Sequence, residues 1–208
     1  MSNFVLSLTT TDLLNKTGDP LSSLSKSRQA VGILKKLSAA APTDLFMRAR
    51  LSDALVSTGA ALAQQGKLVE ARSTTSRGLA IYRDLASRTT ATPDELSQYA
   101  LNLLTCQPPD LREPANALRN AEQAVEKSGA RDPKSLDVLA QAYFQNGDSA
   151  RAVETEKLAL NLLPAPPPNQ SVWPARLKVE AQLAKFEAGR KAHQSSRERI
   201  APRLLPHQ

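Results

Sequence analysis

The chain has 208 residues, a formal net charge of +7, a hydrophobic share of 41% and an aromatic share of only 4%. That is enough apolar material for a core, but its Ala and Leu bias suits closely packed helices better than a sheet sandwich. One cysteine, Cys106, excludes an internal disulfide, and no run of eighteen apolar residues is present to span a bilayer.

Residues 1–41 read as a degenerate N-terminal repeat. Phe4, Val5, Leu6, Leu8, Leu13 and Leu14 suit a helix, Gly18-Asp19-Pro20 a turn, and a second helix begins near Ser27. The first residues have no basic n-region and no small-residue cleavage site, so they make a poor signal peptide, and a cytoplasmic location is expected. Residues 42–164 carry good helix formers and no alternating β-branched run, which predicts an all-α array divided at 42–92, 93–131 and 132–164. Cys106 closes an apolar helical run after Leu101, Leu103 and Leu104, the setting of a small core residue rather than a nucleophile. Pro108, Pro109 and Pro114 forbid continuous helix through "CQPPDLREP". Residues 165–174 form a Pro-rich spacer, and 175–189 a capping helix with an apolar stripe of Leu177, Ala181, Ala184 and Phe186 flanked by Val179 and Leu183. Residues 190–208 lack a sustained period and are expected to be a disordered basic tail. Pro174 to Gln208 carries +5 of the net charge and leaves +2 for residues 1–173. The high pI therefore belongs to the tail and does not describe a basic groove.

The helices repeat. "TPDELSQYALNLL" aligns with "DPKSLDVLAQAYF" at an offset of forty, placing Pro93 on Pro133, Leu96 on Leu136 and Ala100 on Ala140. Upstream, Leu55, Gly59, Leu62, Gly66 and Ala71 keep the spacing of Leu136, Ala140, Tyr143, Gly147 and Ala152. Small residues at 140, 152 and 159 allow two helix backbones to approach, and Gly147-Asp148 separates the helices. One such hairpin cannot bury its apolar face alone, so neighbours must stack.

Leu139-Ala140, Tyr143, Ala152, Ala159 and Pro164 resemble the tetratricopeptide repeat, a helix–turn–helix unit of 34 residues. The consensus Trp, Gly and second-helix aromatic are replaced here by Leu136, Ala140 and Glu156, the last suggesting a more exposed edge near the array's end. Residues 12–187 are more narrowly similar to the repeat region that follows the kinase domain in some bacterial serine/threonine kinases. The resemblance implies a right-handed α-solenoid of about four hairpins and a capping helix. It also implies a non-catalytic scaffold that takes a peptide or partner protein on the concave face of its first helices. Lys134, Asp137, Gln141, Phe144 and Gln145 would line that face, with Gln98 and Asn102 if the third repeat stacks regularly. Val56, Ala60 and Ala63 stand at the corresponding second-repeat positions, so the charged clamp of chaperone-binding members is not assembled. A detached regulatory segment of a kinase signalling system is the alternative.

Catalysis has no support in the chain. It has no phosphate-binding glycine loop, no kinase signature and no nucleophile elbow, so no cofactor is expected. His193 and His207 have no Cys or His companion, which argues against a metal site. Asp94/Glu95 suits helix-start chemistry, and Glu154/Glu156 falls on a helix face. The basic tail offers few aromatics and no recognition module, which disfavours nucleic acid as partner.

Overall fold

Strong start signals recur along the chain, and each one opens a helix. The computed structural model describes residues 20–164 and 174–200, with side chains at 24–164 and 174–192. Eight α-helices occupy those residues: α1 (Pro20–Ala40), α2 (Leu45–Gln64), α3 (Leu68–Ala86), α4 (Pro93–Thr105), α5 (Pro114–Lys127), α6 (Pro133–Gln145), α7 (Ser149–Leu162) and α8 (Pro174–Ile200).

Pro93, Pro114 and Pro133 each stand in the first turn of their helix, where a missing N–H costs nothing. Thr92 and Glu95 form a reciprocal capping box at α4. The Asp132 carboxylate accepts from the Lys134 and Ser135 N–H groups, and Asp148 accepts from Arg151 N–H at 2.9 Å. Gly147, with φ 86°, supplies the left-handed turn that lets α7 fold back on α6. Between α4 and α5 the prolines break the helix as their spacing predicts, leaving a short 3-10 turn at Pro109–Leu111. That connection is tied down: Thr75 Oγ1 donates to the Gln107 carbonyl at 2.6 Å, and Arg112 Nε to the Cys106 carbonyl at 3.0 Å.

The elements pack as sequential hairpins, α2 on α3, α4 on α5 and α6 on α7, with α1 against α2 and α8 against α7. Each second helix also meets the next first helix, and α4 lies along α6, so the hairpins stack in one direction. Small residues set the separations. Ala100, Ala117, Ala121, Ala140, Ala152 and Ala159 are all fully buried. Gly59 and Gly78 seat α2 on α3 so closely that a methyl at Gly78 would fall 3.0 Å from the Ser52 carbonyl oxygen. Leu79, Tyr82, Leu85, Tyr99, Leu103 and Val138 belong to one continuous core cluster that crosses the hairpin boundaries. A buried Ser97–Ser135 hydroxyl bond of 2.9 Å joins α4 to α6, and Lys127 Nζ donates to the Thr89 and Ala91 carbonyls at 2.9 and 2.8 Å.

Several expectations need correction. The helix placed from Ser27 begins at Pro20, whose ring favours a first turn there. The basic tail is helical as far as Ile200, so the C-terminal helix is longer than its apolar stripe. That stripe is also displaced. Val179 and Phe186 are buried and Leu183 is half-buried, whereas Leu177, Ala181 and Ala184 face outward. Spacing of four and then three along 179, 183 and 186 is the helical face that reaches α6 and α7. The helix expected over residues 4–14, the spacer at 165–173, the end of the tail and His207 lie outside the described residues.

Candidate functional site

The first helices of the hairpins are α2, α4 and α6, and one register position recurs on all three as Asp53, Asp94 and Lys134. The fold brings these side chains into one electrostatic cluster. Lys134 and Asp94 form an exposed ion pair across α4 and α6. Asp53 accepts a hydrogen bond from the Tyr82 hydroxyl at 2.9 Å and lies 3.5 Å from Arg50. Burial raises the Asp53 carboxyl above its ordinary range, although Tyr82, Arg50 and Lys134 each pull it down. The Tyr82 hydroxyl is pushed upward, first by burial and then by the neighbouring Asp53 charge. This rung is polar, mutually paired and partly open to solvent.

Further along α6 the geometry changes. Asp137 is 3% exposed; it accepts from Gln141 Nε2 at 3.0 Å and from Lys178 Nζ at 2.7 Å. Phe144 stacks on Phe186 with ring centroids 4.8 Å apart, and Lys185 lies over the same Phe144 ring. Gly189 passes so near Phe144 that a methyl there would fall 2.6 Å from the ring. Lys178, Lys185, Phe186 and Gly189 all belong to α8. Of the seven residues expected to line the groove, Asp137 and Phe144 therefore already have an occupant from their own chain, and Gln141 is buried beside Asp137. Sequence spacing could not anticipate this, because the covering residues lie about forty positions downstream.

The other four divide. Lys134 and Gln145 are exposed, and Gln98 is half-buried. Asn102 is 7% exposed, and its Nδ2 has no acceptor. It does not line the open face, because α4 turns that position inward. Ala61 and Ala142 occupy the same register in α2 and α6, and both are buried. A buried donor with no partner costs about 1–3 kcal/mol. Asn102→Ala, matching the other two hairpins, is therefore expected to raise stability by about 1 kcal/mol in urea unfolding; a loss of that size would show that the amide is satisfied in solution.

The residue that sequence reading missed is Glu156. Its place at the consensus aromatic position suggested an exposed edge, but it is 0% exposed on α7. Neither carboxylate oxygen receives a hydrogen bond. Burial first, and then the Asp137 charge, pushes its carboxyl up to about 9, with Lys178 opposing. The available signal was a carboxylate at a position flanked by core residues Ala152, Val153 and Ala159.

No protein-family model matches the chain, and no curated protein does. Among solved structures it is similar to BtubC (BKLC) from P. vanneervenii, at 14% identity over 91% of this chain and 95% of that one, with a TM-score of 0.44. The hairpin architecture stands on the packing of the helices themselves. No helix among the described residues is long and apolar enough to cross a membrane, and no three His, Cys, Asp or Glu side chains there are grouped to hold a metal.

Proposed function

We propose that the protein is a non-catalytic interaction scaffold that takes an extended peptide segment of a partner protein along its first helices. The observation that carries this reading is the rung of Asp53, Asp94 and Lys134, which repeats one register position across three stacked helices. A regular ladder of polar side chains matches the regular spacing of an extended backbone, and side-chain identity then sets specificity. With α8 seated on α6, the face open to such a segment is bounded by Lys134, Asp94, Gln98 and Gln145. Lys134 and Asp94 are 48% and 74% exposed, so their ion pair is screened and easily exchanged for contacts with a ligand.

Selection of a displayed random-peptide library on the intact protein tests the proposal. Enriched peptides should bind at least roughly tenfold more weakly to the double variant Lys134→Glu, Gln98→Arg, the loss of one or two charge-assisted contacts. A control change on α3, Arg77→Glu, should leave binding intact. Peptides retained equally by all three proteins would place recognition elsewhere and overturn the reading.

A further inference from the structure

The α6–α7–α8 junction buries more acid than it can neutralise. Asp137 from α6 and Glu156 from α7 are 3% and 0% exposed, and the charged groups that act on Glu156 are Asp137 and Lys178. Lys178 comes from α8 and is itself 60% exposed, lying over the pair as a lid with its ammonium on Asp137. Both Asp137 oxygens are engaged, one by Gln141 and one by Lys178. A neutral Glu156 adds no second negative charge to this arrangement. An ionised Glu156 would leave two buried carboxylates to share one ammonium that is itself 60% exposed, with neither Glu156 oxygen hydrogen-bonded.

We propose that α8 is a proton-gated cover: a neutral Glu156 keeps it seated on α6 and α7, and ionisation of Glu156 releases it and uncovers Asp137, Gln141 and Phe144. The helix that yields is decided by packing. The helices α6 and α7 pack on each other, and α6 is also anchored in the continuous core through Val138, Leu139 and Ala142. The seat of α8 is smaller, resting on Val179 against Leu136 and Ala159, and on Phe186 against Ala140 and Val153. Moving α8 admits water to both carboxylates, whereas moving α7 would open the last hairpin. Among the described residues, the ion pair between α7 and α8 is Lys157–Glu187 at 3.6 Å, and both of its side chains are well exposed. It therefore adds little to the hold. The gate does not depend on the peptide reading, although both concern the same face.

Hydrogen exchange of the full chain, followed peptide by peptide and corrected for intrinsic rates, tests the gate directly. From about pH 7 to about pH 10, α8 in the native protein is expected to lose at least roughly tenfold in protection, while α2 to α5 keep theirs. In Glu156→Gln, whose amide keeps the size of the side chain but cannot ionise, α8 should stay protected across the same range. Lys178 remains in both proteins. An equal loss in the variant would therefore place the pH response outside Glu156 and overturn the proposal. So would unchanged protection of native α8, or a loss spread evenly over α2 to α7.

Discussion

Glu156→Gln is expected to stabilise the protein, and to do so more strongly as pH rises. The folded carboxyl titrates near 9 against an ordinary 4.5. Between those values the folded state holds a proton that the unfolded state releases, so folding grows weaker as pH increases. The contribution of neutral Glu156 is complete below the unfolded value and has gone once pH passes the folded one. At pH 7 the difference is on the order of 3 kcal/mol, from about 1.4 kcal/mol per pH unit. Glutamine carries no such dependence. Urea unfolding should show the variant and the native protein alike near pH 4, and the variant ahead by a few kcal/mol at pH 7. Parallel curves at the two pH values would mean that Glu156 is ionised in the folded protein and that water reaches it. The effect is large because Glu156 is buried with neither oxygen hydrogen-bonded, and the ammonium that acts on it, Lys178, also pairs with Asp137.

Phe186→Ala is expected to cost about 3 kcal/mol or more, the range for truncating a fully buried aromatic ring. Phe186 is 1% exposed, and it fills the space between Ala140, Ala152 and Val153 while stacking on Phe144. The loss should be felt first in α8, since the other large anchor of that helix in the described core is Val179. Urea unfolding gives the size of the change, and hydrogen exchange its place. A loss below about 0.5 kcal/mol, the level of an ordinary surface change, would show that α8 is not seated as described. A large loss with protection falling equally in α2 and α3 would mean that α8 supports the whole array. Read beside Glu156→Gln, the result separates two components of one contact. The ring sets how firmly the helix sits, and the carboxyl sets how that firmness varies with pH.

Most of the helical architecture was legible in the residues. Start signals such as Thr92 with Glu95, Asp132 before Pro133 and Asp148 after Gly147 are local chemistry, acting over a few positions of chain. The recurrence of Ala and Gly at fixed offsets likewise reports a local requirement, since two backbones can approach closely only where the side chains are small. The stacked hairpins follow, because each leaves an apolar face that only a neighbour can bury. The face of a terminal helix is less well determined. The sequence of α8 offers two overlapping apolar stripes, the one read from Leu177, Ala181, Ala184 and Phe186 and a second on Val179, Leu183 and Phe186, and composition does not choose between them.

Tertiary structure made that choice, and with it the state of the candidate site. The second stripe places Lys178 on Asp137 and Phe186 on Phe144, so residues that spacing assigned to an open groove are covered. It also seals Glu156, whose acidic character masked the local signal of its core neighbours, because the groups around it come from three different helices. By itself the sequence determined the repeating helix pairs, since capping and small-residue spacing act over short stretches of chain. Only the tertiary structure decided which polar groups meet away from water, because burial of a charge depends on segments about forty residues apart arriving at one point.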